Sequence, residues 1–445
     1  MTHLKKYFYV YIFIIIAIFN SFIQIGIIED GSHHLIEALL ADNPILGHEG
    51  FSDFPFNSRM FPTYLPHIFV GYAAFLEITN INVLVSLFTF IVYFSPIIFL
   101  LFAFFNIPNE KKENFEIILL SFLICFLFME YHVWTENINT GLFLWILFVI
   151  YYYVDFKNMS KLNSVSLLLF SFIIISSHPM AVAFILPFVF FGVKKFINTY
   201  NMDIKNKIVI ITSFCLLFCA FVFNLYYLFY PIALPDDYFK FENFINKQFI
   251  VFVFSVFVIL TVAIFNEKKP LKILFYAFIC VLFYDLIFKV DGSFGYSYRT
   301  LGFYVPLFFM LFIVFKDRLN LKLNYKFLKI TNIVLVTIIL FNSINTGIVW
   351  NKSLNNIKKR TDNVSFIDFS EYLSMLPKIH HKASMIPIYL IVTHKNNCDL
   401  KIDLQQYKSI EYNMVPSTIN RLKENKNKLS KFDINTDKIV IENKN

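Results

Sequence analysis

Residues that could do chemistry gather near the start of the chain, directly after an apolar run. The stretch "IIEDGSHHLIEALLADNPILGHEG", residues 27–50, places carboxylates and imidazoles close together. In a helix, Asp30, His33, His34 and Glu37 would share one face, because they are spaced i, i+3, i+4 and i+7. Such groups could accept a proton from a hydroxyl or bind a metal ion. The alternative is an amphipathic surface helix with its polar side in water and Asp30 near the N-cap.

Further candidates lie in short polar segments between apolar runs. Each one alone is typical of a residue at a membrane interface, and a single histidine there is more often a hydrogen-bonded structural residue. Ionisable residues beside apolar spans are nevertheless costly and tend to be functional. The candidates are Glu49 and Arg59 in the first polar segment, Glu136 in "MEYHVWTENINT", His178 in "SSHPM" and Arg299 in "KVDGSFGYSYRTLGF".

The composition indicates a membrane protein. Of the 445 residues, 57% are hydrophobic and 16% are charged, whereas a soluble domain carries about 25% charged residues. The net charge of +8 does not indicate nucleic acid binding, because most lysines and arginines occupy short loops. The apolar runs predict an α-helical polytopic membrane protein with about eleven transmembrane helices. The predicted spans lie near 7–28, 83–106, 116–131, 140–156, 164–177, 180–195, 207–230, 249–266, 272–289, 299–316 and 330–350.

Basic residues alternate between successive loops, which predicts an orientation. One set of loops is rich in lysine and arginine, and the set between them is poor. Because cytoplasmic loops carry the excess, we expect a multi-pass protein of a bacterial cytoplasmic (inner) membrane, with its N-terminus inside and its C-terminus outside. The candidates named above then all lie outside. The basic loops contain Lys5, Lys6, Lys111, Lys112, Lys157, Lys161, Lys194, Lys195, Lys205, Lys268, Lys269, Lys316, Arg318, Lys322 and Lys326.

One apolar stretch, residues 61–78, is not counted as a span. It is short and contains Pro66 and His67. Counting it would reverse the side of every later basic loop, whereas a helix lying flat on the outer surface preserves the alternation. The first outer loop then runs from 29 to 82, which is long for a simple connector.

The end of the chain predicts a separate unit. Residues 1–350 form the membrane domain, and the polar residues 351–445 predict a small extracytoplasmic α/β module. An amphipathic helical pattern covers 364–376, and "ASMIPIYLIVTH", residues 383–394, predicts a buried strand. The Lys-, Asn-, Asp- and Glu-rich end after about 425 predicts disorder.

The order of these parts resembles the GT-C superfamily of polytopic glycosyltransferases, which use polyprenyl-phosphate-linked sugars. A first spanning helix ends in the acidic pair of "IIEDGSHHLIEALL", and a Pro-containing surface helix, "NSRMFPTYLPHIFVGYAAFLEITN", precedes the second span. The segment "SFIDFSEYLSMLP" is similar to the start of the outer domain that many such enzymes carry. The resemblance implies a GT-C-like fold, a polyprenyl-phosphate-linked sugar donor and a glycan, lipid or protein acceptor.

The resemblance also implies roles for single residues. Asp30 takes the place of the first-loop aspartate that acts as catalytic base or metal partner, and Glu136 matches a second acidic residue. Arg299 matches the position that holds the lipid phosphate. His33 and His34 depart from the family pattern, in which an acidic residue and an aromatic residue are expected, and they are candidate ligands of a divalent metal ion. Further residues for the substrate or the lipid phosphate are Arg59, His178 and Glu49.

The chemistry of glycosyl transfer agrees with these roles. A carboxylate must take a proton from the acceptor hydroxyl. The leaving phosphate gains negative charge that a cation must stabilise, and the planar guanidinium of arginine can make two bonds to phosphate. The sequence contains no P-loop and no GxGxxG motif, which agrees with a lipid-linked donor rather than a cytosolic nucleotide sugar.

Three other functions stay open at this point. A polysaccharide polymerase or ligase of another fold would carry arginines in a large late outer loop. A transporter or lipid flippase would show paired charges within spans and broken helices in matching halves. A zinc-dependent outer-face enzyme could use His33, His34, Glu37 or His48, although "HHLIE" lacks the second histidine of an HExxH motif.

Overall fold

The chain is mainly helical, and its helices lie where the apolar runs predict them. The computed structural model describes residues 8–27, 30–41, 60–127, 136–177, 181–199, 202–229, 273, 297–377, 385–403 and 414–442. Within these ranges, α-helices overlap the predicted spans, as expected for long runs whose backbone polar groups must be satisfied internally. The predicted spans near 249–266 and 272–289 lie outside the described residues, apart from Ile273.

The helices preceding the C-terminal module are labelled in chain order. They are α1 (Phe8–Ile23), α2 (Asp30–Leu40), α3 (Met60–Phe75), α4 (Ile81–Asn106), α5 (Lys112–Leu127), α6 (Glu136–Tyr153), α7 (Lys161–Ile173), α8 (Val182–Asn198), α9 (Ile204–Phe229), α10 (Ser297–Arg318) and α11 (Tyr325–Thr361). Among the described residues, three helices are long and apolar enough to cross a membrane: Ile81–Asn106, Ile204–Tyr226 and Tyr325–Thr361.

One end of the helix bundle is held by a polar cluster centred on Asp317, at the last turn of α10. Lys111 Nζ lies 2.8 Å from Asp317 Oδ2, and Asn114 Nδ2 donates to both carboxylate oxygens at 3.2 and 3.1 Å. Tyr152, at the end of α6, also donates to Asp317. The start of α5 and the ends of α6 and α10 therefore meet here. We call this end the basic end.

Two further contacts bring other loops to the basic end. Lys195, in the last turn of α8, donates to the carbonyl oxygen of Val154 at 2.5 Å, just after α6. Asn206, in the first turn of α9, donates to the carbonyl oxygens of Phe156 and Lys157, both at 3.2 Å. Consecutive helices therefore run in alternating directions, and the lysine-rich loops of the described residues meet at one end.

The opposite end, which we call the α2 end, is fixed by contacts of α1. Ser21 Oγ donates to the carbonyl oxygen of Ser86 at 2.8 Å, so the end of α1 lies against the start of α4. Asn224, near the end of α9, donates to the carbonyl oxygen of Ile174 at 3.1 Å, just after α7. The α2 end therefore holds the starts of α4, α6, α8 and α10.

Helix α11 connects the two ends and continues beyond them. Asn332, near its start, donates to Glu116 Oε2 at 2.8 Å, close to the basic end. Further along, Gly347 lies against α1, where a Cβ atom would stand 2.4 Å from Ile23 Cδ1. The helix has 37 residues, so at about 1.5 Å per residue it reaches past the end of α1 into the C-terminal module.

The C-terminal module is a small parallel sheet with helical crossovers. It contains β1 (Phe366–Asp368), α12 (Phe369–Met375), α13 (Met385–Val392), β2 (Asp399–Asp403), α14 (Met414–Glu424), α15 (Lys426–Leu429) and β3 (Ile439–Glu442). The strand order is β1-β2-β3, and both pairs are parallel, with Ile367 opposite Leu400 and Ile402 opposite Ile441. The predicted α/β character is therefore confirmed.

Two predictions within this module are wrong. The run 383–394, predicted as a buried strand, contains the helix Met385–Val392, whose residues are all buried. Periodicity cannot separate a short, fully buried helix from a strand, and parallel strands require a crossover at this position. The end after 425, predicted to be disordered, forms α15 and β3, because its few apolar residues, such as Leu429 and Ile434, are buried in the module core.

Buried polar groups of the module bind backbone carbonyl groups. Tyr372 donates to the carbonyl oxygen of Met385, and Tyr389 donates to that of Cys398, both at 3.0 Å. Lys438 Nζ donates to the carbonyl oxygen of Thr393 at 2.6 Å, directly after α13. Burial lowers the pKa of Lys438 below its usual value.

The Asp317 cluster yields a stability prediction. Asp317→Ala should lower the free energy of unfolding by about 3 kcal/mol, because Lys111 and the Asn114 amide lose this carboxylate and the nearly buried Lys316 loses one of the two carboxylates that it contacts. Unfolding of the purified protein in mixed detergent micelles would measure the change. The control is Asp155→Ala at the same end, where an exposed carboxylate accepts hydrogen bonds from residues of its own turn, and where about 1 kcal/mol or less should be lost. Equal losses in the two variants would contradict this interpretation.

Candidate active site

The path of the chain into α2 is fixed by α4. Gln24 adopts a left-handed conformation with φ of 55°, and its side-chain amide donates to the carbonyl oxygen of Asn82 at 3.2 Å. The N–H of Gly26 donates to Thr89 Oγ1 at 3.2 Å. A Cβ atom on Gly26 would lie 2.8 Å from the Thr89 Cα atom. Only glycine fits this approach, and the chain begins α2 four residues later, at Asp30.

Helix α2 is buried within the protein. Its apolar side chains Leu35, Ile36, Leu39 and Leu40 are between 0% and 5% exposed. They pack among α3, the 3-10 turn Ile25–Ile27 and helices α13 and α15 of the C-terminal module. The alternative prediction of a surface helix with its polar side in water is wrong at Glu37, which is only 2% exposed.

An ion pair joins α2 to the C-terminal module. Arg421 of α14 contacts Glu37 through two nitrogens, Nη1 to Oε1 and Nη2 to Oε2. The Nη2–Oε2 contact is a hydrogen bond between charged groups, and such bonds are roughly twice as strong as those between neutral groups. The Arg421 side chain remains 28% exposed, so the pair lies at the edge of the interface with its carboxylate on the protein side.

A histidine pair joins α2 to α3. The ring of His34 lies 5.6 Å from the ring of His67, centroid to centroid, at an interplanar angle of 53°. His67 belongs to α3, the helix predicted to lie on the outer surface, and is 9% exposed. Helix α3 packs against α2 and α4.

The site residues predicted from the sequence lie either in described helices or outside the described residues. Asp30 is the first residue of α2, Glu136 is the first residue of α6, and Arg299 lies in the first turn of α10. All three helices begin at the α2 end of the bundle, and helix N-termini attract negative charge. His33 lies within α2. Glu49, Arg59 and His178 lie outside the described residues.

Metal binding was predicted for His33 and His34. Within the part of the chain that the structure describes, no group of three or more His, Cys, Asp and Glu side chains is arranged to hold a metal ion. The described residues do bring His34 beside His67, which the sequence prediction did not include.

Two contacts of α2 were not predicted from the sequence. His67 was noticed only as a polar residue in an apolar stretch, although its place in a helix could have suggested a partner in the neighbouring α2. Arg421 gave no signal, because it is separated from Glu37 by 384 residues and nothing in the sequence pairs the two.

No family model, curated protein or solved structure matches this chain. The site is therefore interpreted from its own geometry and chemistry.

The tight approach of Gly26 to Thr89 yields a second prediction. Gly26→Ala should lower the free energy of unfolding by about 1–3 kcal/mol, because the new methyl group meets backbone atoms that cannot move aside. Detergent unfolding would measure the loss. Thr89→Val serves as the comparison, since it removes only the oxygen that accepts from Gly26 and should cost about 1 kcal/mol. A Gly26→Ala variant as stable as the unaltered chain would refute the close packing.

Proposed function

We propose that this chain is a membrane glycosyltransferase of the GT-C type. It transfers a sugar from a polyprenyl-phosphate-linked donor to a glycan, lipid or protein acceptor at the outer face of a bacterial cytoplasmic membrane. The observation that carries the proposal is that Asp30, Glu136 and Arg299 all lie in the first turn of helices that begin at the α2 end. A base, a second acid and a phosphate-binding cation are the groups that the reaction needs.

A membrane setting is supported by the surface of the bundle. Helix α9 leaves Ile211, Phe218 and Val222 about half exposed or more, and contiguous apolar surface of this kind suits lipid contact. The lysine-rich loops meet at the basic end, so the positive-inside rule favours the cytoplasm for that end. The α2 end and the C-terminal module would then lie outside, where lipid-linked donors can enter sideways from the bilayer.

In the proposed reaction, Asp30 accepts the proton of the acceptor hydroxyl. The acceptor oxygen then bonds to the anomeric carbon of the sugar, and the bond between that carbon and the phosphate oxygen breaks. Polyprenyl phosphate leaves with the electron pair, and Arg299 binds its charge. Glu136 orients the acceptor or the sugar hydroxyls through hydrogen bonds.

The resemblance to GT-C enzymes also implies a divalent metal ion. His33 and His34 were the ligands suggested by the sequence, and His67 lies beside His34 in the structure. Each step above is written for side chains of the chain itself.

The role of Asp30 can be tested directly. Asp30→Asn should lower the rate of sugar transfer by about 100- to 10,000-fold, because the amide cannot accept the proton. Membrane vesicles would be supplied with polyprenyl-phosphate-linked hexoses and pentoses labelled in the sugar, and release of free polyprenyl phosphate would be measured. Asp155→Asn, at the basic end, is the control and should transfer normally. Full activity of Asp30→Asn would exclude Asp30 as the base.

Replacing Arg299 should change the transfer kinetics in a different way from replacing Asp30. Arg299→Gln should lower kcat more than it raises the donor KM, because the phosphate charge is larger in the transition state than in the bound donor. Arg299→Lys should recover part of the rate, because lysine keeps the positive charge but cannot make two parallel hydrogen bonds to the phosphate. If Arg299→Gln changed only KM, the residue would bind the donor without stabilising the leaving group.

A further inference from the structure

We propose that Arg421 is a positioning residue. By binding Glu37 it fixes α2, and with it Asp30, to the C-terminal module. The inference rests on the proposed function in one respect, since Asp30 is the base assigned there. The contact itself, between residues far apart in the chain, stands independently of that assignment.

The ion pair is built to hold one geometry. Arg421 Nη2 donates to Glu37 Oε2, and Nη1 lies against Oε1, so the contact restricts the orientation as well as the distance between the two groups. Glu37 is 2% exposed. Removing Arg421 would therefore leave a charge buried in the protein, which strongly disfavours the docked arrangement.

Helix α2 needs such an external support. It has 11 residues, and an isolated helix shorter than about 12–15 residues is marginal in water. Its position must therefore come from its neighbours, which are α3 on one side and α13 and α15 of the module on another. The Glu37–Arg421 pair adds a directional contact to this apolar packing.

The geometry of a helix transmits the contact to the proposed base. Glu37 lies seven residues after Asp30, which is two helical turns, so both positions occupy the same face of α2. A helix of this length moves nearly as a rigid rod, and a shift at Glu37 therefore becomes a shift at Asp30. A displacement of about 1 Å at a reacting group can cost about 100-fold in rate.

The module can support α2 because it is itself held by the bundle. Helix α11 runs from Asn332, near the basic end, into the module, where it packs against α12 and α13. Trp350 and Ile357 of α11 are fully buried. Contacts therefore connect α11 to the module and connect the module, through Arg421, to α2. As a result, α2 is held at its middle as well as at its start.

The experiment measures transfer and local stability in the full-length protein in nanodiscs. Arg421→Gln should lower kcat by roughly 10- to 100-fold with little change in the donor KM, using the labelled polyprenyl-phosphate-linked sugars as donors. In the same variant, backbone amides of residues 30–40 should exchange hydrogen faster. Arg421→Lys should recover much of both properties, because it restores the positive charge beside Glu37.

The matched control is Arg360→Gln. Arg360 also forms an ion pair in the C-terminal part of the chain, with Glu371 at 2.8 Å, but both side chains are exposed and neither belongs to α2. Its loss should leave kcat and the exchange of residues 30–40 unchanged. Should Arg421→Gln fail to fold, Glu37→Gln removes the same ion pair without leaving a buried charge and should give the same two effects.

The outcomes separate this proposal from the proposed function. Unchanged exchange in residues 30–40 of Arg421→Gln would overturn the proposal, and so would faster exchange with an unaltered kcat. If Asp30→Asn retained full activity, the base assignment would fail, while faster exchange of α2 in Arg421→Gln would still support the ion pair as the anchor of that helix.

Discussion

The cluster around Asp317 is the interaction on which the arrangement of the bundle depends. A carboxylate that is nearly buried must be paired, and Asp317 is paired by groups from α5, α6 and the loop before α5. Pairing the Asp317 carboxylate requires the start of α5 and the ends of α6 and α10 to lie at the same end of the bundle. The starts of α6 and α10 are then placed at the opposite end, where α2 begins.

Two further carboxylates near the basic end, Glu113 and Glu116, also bind other parts of the chain. Glu116 accepts from Asn332 at 2.8 Å and from Tyr325 at 3.4 Å, and Glu113 accepts from the N–H of Leu323 at 3.0 Å. Glu116 therefore fastens α5 to α11, and Glu113 fastens α5 to the loop between α10 and α11.

The sequence predicted the helices well and the contacts between them poorly, for physical reasons. Apolar runs report how many residues are buried or face lipid, so α4, α9 and α11 could be placed from hydropathy alone. The run that forms α13 was misassigned because a fully buried helix has no polar face to reveal its period. The α2 segment was recognised as a candidate site because its charged residues interrupt the apolar pattern.

The partners of α2 could not be predicted in the same way. A pair such as Glu37 and Arg421 forms only because the tertiary fold brings two distant segments together. A single sequence gives no information about the distance between such segments. Glu37 requires a cation nearby because it is buried, and its burial is known only from the fold. What the structure adds is that this cation comes from the C-terminal module, so the module is fastened directly to α2.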